Sequence, residues 1–390
     1  MKHRVGLIHP KGSMDTLPCL TSAVVQLAQS GYGVDVFLVP EERCILPNFG
    51  ALDVRIVTLG STSQSAPKKV RNYNLISFVP SIIGIYRQES PVALIGVDPF
   101  GLMMASLAAG FLRCPVIYYS LEVMVSSEIR KLRQRVVKFA ERFFSRRAAF
   151  SIIQDTDRAA LLSAENGIPL SQIVCVPNSP LRKAELLRTH YLRDKLGIPA
   201  GKRIALCAGN LASYTQSLEL ARSAHTWPEE WALVLHNRQK FEDDAYGQAI
   251  MQLADRRHVF LSTEQVPFDF LPDLIASADI GVALYYAPFD SPDRGANIIH
   301  MGLSSGKLAT YLQVGLPVIV SDLPTLRFIE NYGCGLLVSN AEAVVPAIRR
   351  VLGDYDTFAA NAIRCYQELY DFASKFNEVL RRLETLTAKK

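Results

Sequence analysis

The feature that most constrains the fold is a regular alternation of short apolar runs with segments long enough to form helices. Runs such as Val5–His9, Ala93–Val97 and Arg203–Ala208 are almost continuously apolar, which is typical of strands buried on both faces of a sheet. The predicted strands are 5–9, 34–39, 54–57, 93–97, 116–119, 151–154, 203–208, 232–236, 259–261, 280–284, 318–320 and 335–338. This order predicts an α/β fold with parallel sheets covered by helices on both faces.

The alternation falls into two halves of similar size. The chain has 390 residues, which favours two to three domains of roughly 100–200 residues each. Residues 176–180 look like a boundary, and the residues after them are polar and irregular up to about Pro199. We therefore predict domains over 1–180 and 195–355, followed by an amphipathic helical segment over 356–390.

One segment in the second half, residues 302–322, combines a small-residue turn with a lysine, an apolar helix and a strand. The turn ends at Gly306 and Lys307, and Gly315 follows the helical run. Backbone N–H groups at a helix start attract anions, and a lysine adds a full positive charge. The segment therefore predicts a phosphate site, although an ordinary turn with a surface lysine is the alternative. A Walker A loop is excluded because its first glycine is replaced by Met301.

The pattern of this segment resembles the donor-binding segment of GT-B glycosyltransferases, especially family 4, the "group 1" transferases. The resemblance covers nearly the whole chain. It implies two doubly wound Rossmann-like domains facing a cleft, the first binding the acceptor and the second the nucleotide-sugar donor. It also implies that the C-terminal helix crosses back to the first domain.

The activity implied by the resemblance is that of a hexosyltransferase-type enzyme (EC 2.4). Such an enzyme moves a sugar from a nucleotide diphosphate sugar to a hydroxyl group of a lipid-linked or polysaccharide acceptor, with retention of configuration. The nucleotide sugar is a substrate, so no cofactor is implied. No metal is implied either, because cations and helix dipoles stabilise the departing diphosphate.

The donor-binding residues implied by the resemblance depart from the family pattern at several places. Asn210 stands where the family often has an arginine, and the lysine expected a few residues later falls near Gln216. The second of the family's paired glutamates aligns with Thr310, and the first falls near Gly302. The candidate donor-binding residues are Gly12, Gly209, Asn210, Arg238, Ser304, Ser305, Gly306, Lys307 and Thr310. For Arg238, a solvated surface charge is the competing interpretation.

Two carboxylates follow buried strands of the first domain and are the candidate catalytic residues. Glu122 ends a stretch that resembles a family strand with a His-Asp or His-Glu pair, although Leu121 replaces the histidine. A carboxylate there could orient or deprotonate an acceptor hydroxyl. The alternatives are a salt bridge from Glu122 to the basic helix that follows, and a helix-capping role for Asp98.

A basic helix is predicted over residues 128–147, with eight basic and only two acidic side chains. Apolar residues fill the gaps between them, so the helix suits peripheral contact with an anionic membrane surface. A solvated face packed on a sheet is the alternative. Nucleic acid binding is disfavoured, because the whole chain has a net charge of only +5 and no recognition motif.

Other sequence features indicate a cytoplasmic protein, with any membrane contact on the inner face. The seven cysteines are scattered without a CxxC pair, and no apolar run reaches the roughly 18 residues of a membrane span. The histidines 9, 236 and 300 are too far apart in sequence to suggest a metal site. A non-catalytic GT-B homologue at a glycan-assembly site and a nucleotide-sugar epimerase remain the alternative functions.

Overall fold

A computed structural model describes residues 3–10, 14–39, 45–59, 78–237, 245–267, 270–289 and 294–388. The chain divides into two compact units. Unit 1 consists of the residues up to Leu181 and those from Phe372 onwards. Unit 2 consists of residues 182–371, apart from a short segment beginning at Phe289 that is assigned to unit 1.

Unit 1 is built on a sheet of seven parallel strands. The strands are β1 (Arg4–His9), β2 (Gly33–Leu38), β3 (Val54–Thr58), β4 (Ala93–Val97), β5 (Val116–Tyr119), β6 (Phe150–Ile153) and β7 (Ile173–Cys175). The helices are α1 (Pro18–Gln29), α2 (Val79–Ile85), α3 (Asp98–Leu112), α4 (Leu132–Ser145), α5 (Thr156–Asn166) and, from the end of the chain, α15 (Phe372–Thr387). The strand order is β3-β2-β1-β4-β5-β6-β7, so the direction of winding reverses between β1 and β4.

Unit 2 contains a second parallel sheet, of six strands. The strands are β8 (Arg203–Ala208), β9 (Trp231–His236), β10 (Val259–Ser262), β11 (Ile280–Ala283), β12 (Val318–Ser321) and β13 (Gly335–Val338). The helices are α6 (Tyr191–Leu196), α7 (Ser217–Ala224), α8 (Ala245–Leu253), α9 (Leu271–Ile275), α10 (Gly295–Ile299), α11 (Gly306–Gln313), α12 (Phe328–Tyr332), α13 (Val344–Gly353) and α14 (Tyr355–Leu369). The order β10-β9-β8-β11-β12-β13 reverses between β8 and β11.

The two doubly wound parallel sheets predicted from the alternation are confirmed. The differences lie in short or polar elements. Strand β7 and helix α5 have no counterpart among the predicted elements, and α6 lies in the stretch interpreted as irregular. The C-terminal segment predicted over 356–390 is divided between α14, which belongs to unit 2, and α15, which belongs to unit 1. Phe372 and Phe376 of α15 are buried in the same core as the strands of unit 1.

The basic helix is shorter than the sequence predicted. A 3₁₀ turn over Ser126–Glu128 precedes it, and α4 starts only after Lys131. The backbone N–H of Lys131 donates to Oε1 of Gln134 at 3.1 Å, which satisfies a group left open at the helix start. The helix therefore covers only the middle of the predicted segment 128–147, and both ends of that segment lie outside it.

Helix α3 lies unusually close to the sheet of unit 1 because two glycines leave room for it. A Cβ atom on Gly101 would lie 2.5 Å from the carbonyl oxygen of Ile8 in β1, and one on Gly96 would lie 2.5 Å from the Cα atom of Leu102. This approach brings the start of α3 to the carboxyl end of β1, which is the reversal point of the sheet.

We expect Gly101→Ala to destabilise the protein by about 1–3 kcal/mol, because the new methyl group would force the backbone of α3 away from β1. Gly110→Ala is the matched control in the same helix, since a Cβ atom on Gly110 would have no neighbour within 4 Å. That substitution should stabilise the protein by about 0.5–1 kcal/mol through helix propensity. Urea unfolding followed by circular dichroism measures both, and shifts of the same sign would contradict the close approach of α3 to β1.

Candidate functional site

The reversal point of unit 2 brings the start of α11 to the turn that follows β8. Gly209 in this turn has φ +105°, and a Cβ atom there would lie 3.3 Å from Cε of Lys307. The lysine side chain therefore crosses the turn where a larger residue would obstruct it. Ligands of doubly wound folds bind at this edge, beyond the carboxyl ends of the strands around the reversal point.

Tyr311 fixes α11 against the sheet. Its buried hydroxyl accepts from the backbone N–H of Ala208 at 2.8 Å and donates to the carbonyl oxygen of Leu206 at 3.1 Å. Its ring covers β11 so closely that a Cβ atom on Gly281 would lie 2.4 Å from it. Because Lys307 is one helical turn before Tyr311, this contact also fixes where the lysine stands.

The two serines of the turn use their hydroxyl groups within the protein. Oγ of Ser305 accepts from the backbone N–H of Leu308 at 3.3 Å, so Ser305 is the N-cap of α11. The hydroxyls of Ser305 and Tyr285 are 3.0 Å apart, and Ser304 donates to the carbonyl oxygen of Met301 at 2.6 Å. The serines thus shape the turn and orient the helix start.

Lys307 is a half-buried cation in this turn. Its Nζ is 3.9 Å from Sγ of Cys207 and 5.8 Å from the ring centre of Tyr285. Burial lowers the pKa of Lys307, but its electrostatic interactions with Cys207, Tyr285 and Tyr214 outweigh burial, and the pKa lies above its usual value. No carboxylate of the described residues forms an ion pair with it. The side chain is therefore charged at neutral pH and suited to an anionic ligand.

The amides at the family's basic positions hold the loop after β8. Asn210 donates to the hydroxyl of Tyr214 at 2.7 Å, and Gln216, at φ +46°, donates to the carbonyl oxygen of Tyr285 at 3.0 Å. The guanidinium of Arg294 lies 5.3 Å from the ring centre of Tyr214. Arg294 thereby adds a second cation to the same loop, in contact with its aromatic side chain.

Four candidate donor-binding residues remain: Thr310, Gly306, Gly12 and Arg238. The hydroxyl of Thr310 donates to the carbonyl oxygen of Lys307 at 2.9 Å within α11, and the residue is only 7% exposed. Gly306 is the first residue of α11. Gly12 and Arg238 lie outside the described residues.

The reversal point of unit 1 forms a cavity of about 120 Å³ at the ends of β1 and β4. Both candidate carboxylates, Asp98 and Glu122, line it together with His9, Pro10, Val97, Pro99, Phe100 and Met124. The structure therefore brings together two residues that are separated by a strand and a helix in the sequence.

Asp98 holds the backbone at the end of β5. It is buried, and its Oδ1 accepts from the backbone N–H groups of Leu121 at 2.9 Å and Glu122 at 3.3 Å. It is the first residue of α3, with φ +56°, and the N-cap is Val97 instead. The carboxylate therefore positions the turn that carries Glu122.

Glu122 pairs with an arginine that the sequence analysis did not single out. Nη2 of Arg158, in α5, is 3.2 Å from Oε2 of Glu122 and 2.7 Å from the carbonyl oxygen of Leu121. The side chain of Arg158 is 1% exposed, whereas that of Glu122 is 52% exposed. The ion pair comes from α5 and not from the basic helix, and it leaves Glu122 accessible at the cavity.

Three tyrosines and Arg158 are the site residues that sequence reasoning missed. The sequence did contain a signal that could have identified Tyr311, because this residue lies four positions after Lys307 and so on the same face of the helix. Tyr214, Tyr285 and Arg158 had none, since only the fold brings them to their partners.

Metal-binding clusters and membrane-spanning helices are both absent among the described residues. No three His, Cys, Asp or Glu side chains of that part of the chain are grouped as a metal site. No helix within it is long and apolar enough to cross a bilayer.

Comparison with solved structures identifies the fold. The chain superimposes on sucrose-phosphate synthase of Thermosynechococcus elongatus with a TM-score of 0.71, at 16% identity over 100% of both chains. HepE of Anabaena in complex with UDP-glucose gives a TM-score of 0.70, at 14% identity over 98% of this chain and 100% of that one. A putative UDP-N-acetylglucosamine 2-epimerase of Listeria monocytogenes gives 0.62, at 12% identity over 100% of this chain and 98% of that one.

These likenesses define the class of protein. The chain has the GT-B fold, as the resemblance of residues 302–322 implied. No sequence-family model and no curated protein matches it, so the relationship is visible in the structure and in short motifs only.

We expect Tyr311→Phe to lower the free energy of unfolding of unit 2 by about 1–3 kcal/mol, because the N–H of Ala208 loses its buried partner. Trp227 and Trp231 are the two tryptophans of the chain and both lie in unit 2, so their fluorescence reports this unit during urea unfolding. Tyr332→Phe is the control, since the Tyr332 hydroxyl meets Glu368 at an exposed position and its loss should matter by less than about 0.5 kcal/mol. Equal effects of the two substitutions on the free energy of unfolding would exclude the role of the Tyr311 hydroxyl in joining α11 to β8.

We expect Asp98→Ala to destabilise the protein by about 2–4 kcal/mol, since two N–H groups lose their acceptor and alanine is disfavoured at φ +56°. Asp98→Asn retains an acceptor oxygen and tolerates this conformation, so about 1 kcal/mol is expected. Thermal unfolding followed by circular dichroism compares the two. A wild-type melting temperature for Asp98→Ala would show that the carboxylate does not hold the turn.

Proposed function

We propose that the chain is a glycosyltransferase that moves a sugar from a nucleotide diphosphate sugar to a hydroxyl group of a lipid-linked or polysaccharide acceptor. The observation that carries the proposal is the charged Lys307, held over Gly209 at the reversal point of unit 2 in a GT-B fold. We infer that this unit binds the donor and unit 1 the acceptor.

The donor diphosphate would bind where Lys307 and the first N–H groups of α11 are exposed to the same ligand. A diphosphate gains negative charge as the sugar leaves, and a cation with oriented N–H groups stabilises that charge without a bound metal. Ser304 and Ser305 shape this turn, and Asn210 orders the loop beside it. The complexes of HepE with UDP and UDP-glucose make uridine nucleotides the first donors to test.

The acceptor hydroxyl would bind in the unit 1 cavity beside Glu122. The side chain is half exposed, and the buried Arg158 holds one of its oxygens. A carboxylate held in this way can orient the hydroxyl and take up its proton as the new glycosidic bond forms. Asp98 acts as a positioning residue, because its hydrogen bonds fix the backbone of Leu121 and Glu122. Retention of configuration and a cytoplasmic location belong to the same proposal.

Two other functions remain candidates. The epimerase-like structure of Listeria monocytogenes favours a nucleotide-sugar epimerase, which would convert the donor alone and need no acceptor. The amides at positions 210 and 216 favour a non-catalytic homologue, which would bind without turnover at a glycan-assembly site. Incubation with the donor alone, followed by analysis of the sugar, distinguishes the epimerase from the other two.

We expect one of UDP, GDP or ADP, or its sugar conjugate, to raise the melting temperature of the protein. A ligand at about 100 times its dissociation constant stabilises by roughly 2.7 kcal/mol, which a thermal-shift assay detects. Lys307→Ala should weaken that binding about 10- to 100-fold, because a charge-assisted contact with phosphate is lost. Lys183→Ala is the control, since Lys183 is an exposed lysine of the same unit.

Lys307→Met separates charge from packing, because it retains the aliphatic chain over Gly209 and removes only the charge. It should bind the nucleotide as weakly as Lys307→Ala while melting like the wild type. The raised pKa of Lys307 also predicts no loss of affinity from this group between about pH 7 and pH 9. Wild-type affinity in both variants would remove Lys307 from the diphosphate site, and no shift with any nucleotide would contradict donor binding.

A further inference from the structure

Helix α4 buries Lys138 and Glu141 and exposes Leu132, Val136, Phe139 and Phe143. Lys138 is 3% exposed, and its Nζ donates to Oε2 of Glu141 at 3.1 Å and to Oδ1 of Asn166 at 2.7 Å. Oε1 of Glu141 accepts from the hydroxyl of Tyr118 at 2.8 Å and from Nδ2 of Asn166 at 3.0 Å. This satisfied network fixes which face of the helix points inward. The apolar side chains therefore cannot rotate into the core without breaking it.

The exposed side of α4 carries a stripe of apolar side chains. Leu132 is 77% exposed, Phe139 72% and Val136 60%, although a helix of a globular protein normally buries such residues. Helix α3 packs beside α4 and adds Phe111, which is 75% exposed. We call this surface the α3–α4 face; its exposed apolar residues are Leu107, Phe111, Leu132, Val136, Phe139 and Phe143.

The α3–α4 face is bordered by positive charge. Residues 128–147 contain eight basic and two acidic side chains, a surplus of six, whereas the whole chain has a surplus of only five. Neither helix exposes a carboxylate, because Asp98 and Glu141 are both buried. The exposed cations on the two helices, or next to them in the sequence, are Arg113, Arg130, Lys131, Arg133, Arg135, Arg146 and Arg147.

We propose that the α3–α4 face binds the surface of an anionic lipid bilayer, with its apolar side chains inserted at the boundary between headgroups and acyl chains. Apolar residues framed by arginine and lysine are the combination that a bilayer interface accommodates, because the cations meet the headgroups while the rings leave water. The sequence pointed to helix 128–147 alone. The contribution of α3 and the outward direction of the phenylalanines come from the structure.

The charges and shapes on this face disfavour other occupants. Two copies of the chain meeting through it would oppose two rows of cations without a carboxylate to separate them. Nucleic acid would stack its bases on aromatic side chains, but only half of the apolar residues of this face are aromatic; Leu107, Leu132 and Val136 are aliphatic. An acidic protein could match the cations, and it is one of the outcomes that the experiment separates.

Together with the proposed function, the face selects between the two acceptor classes. Unit 1 carries both the α3–α4 face and the cavity with Glu122. A protein that sits on a bilayer through this unit meets acceptors anchored in the same bilayer, so the lipid-linked acceptor is favoured over a free polysaccharide. This second step rests on the proposed function, whereas bilayer binding itself does not.

The test is flotation of the purified full-length protein with vesicles of phosphatidylcholine, with or without about 30% phosphatidylglycerol. The wild type should float with the anionic vesicles only, and less so when salt rises from about 0.1 M to about 0.5 M. Phe111→Ser with Phe139→Ser should lower the bound fraction at least tenfold. Arg133→Gln with Arg135→Gln should lower it about fivefold per cation.

Matched controls are Leu170→Ser, at a 58% exposed apolar position outside the face, and Arg349→Gln with Arg350→Gln on α13. These should bind vesicles like the wild type, and all variants should melt like it because every changed residue is exposed. Failure of the wild type to float would overturn the proposal. The proposal would also be overturned if light scattering showed a dimer that the phenylalanine variant loses, without any vesicle binding. Pull-down of an acidic peptide by a protein that does not float would overturn it too.

The same proteins are tested for the nucleotide shift, so the two proposals fail separately. Vesicle binding that depends on the phenylalanines, without any change of melting temperature with nucleotide, would support bilayer binding by the α3–α4 face. It would contradict the proposed glycosyltransferase function. A nucleotide shift without flotation would leave the donor site and reject the bilayer.

Discussion

The candidate donor site depends on the hydroxyl group of Tyr311. The last backbone groups of a parallel strand need partners beyond the strand itself, and at the end of β8 a side chain from α11 provides them. The same contact anchors the helix whose first turn carries Lys307. The end of β8 and the Lys307 side chain are therefore held in a fixed arrangement. Gly281 leaves space for the tyrosine ring, and Gly209 leaves space for the aliphatic part of the lysine. Removing either glycine would separate elements that the site needs in contact.

The replacement of the family's basic residues by amides has a direct electrostatic consequence. Asn210 and Gln216 use their side chains on Tyr214 and on the backbone of Tyr285, so they shape the loop and bring no charge to a phosphate. In the proposed site, Lys307 would therefore supply a larger share of the attraction for a diphosphate than it would beside two further cations. The surrounding thiol and phenol groups favour its charged form, which compensates for its burial. The candidate donor site is thus poorer in charge than the family pattern but has Lys307 as a cation.

The sequence predicted those parts of the fold that depend on local pattern. Continuous β-branched runs revealed the strands, and the turn before α11 revealed Lys307, because both signals lie within a few consecutive residues. Arg158 could not be recognised, since it is 36 positions from Glu122 and reaches it only when α5 returns to the sheet. Asp98 was open to a capping interpretation because nothing in the sequence shows its positive φ. The burial of Lys138 and Glu141 in α4 could not be predicted either, because a network with Asn166 reverses the rule that charge faces water.

Under the proposed function, the two reversal points would serve the two halves of a transfer reaction. In unit 1 the edge of the sheet carries carboxylates, one accepting from two N–H groups and the other paired with a buried arginine, so the cavity can receive a neutral hydroxyl and its proton. In unit 2 the equivalent edge carries a lysine without a carboxylate partner among the described residues, so it receives negative charge. Because both edges are built by the same strand–turn–helix geometry, the proposed division between acceptor and donor would come from the side chains that the turns present. That division would rest on opposite signs of charge at equivalent positions of the two sheets.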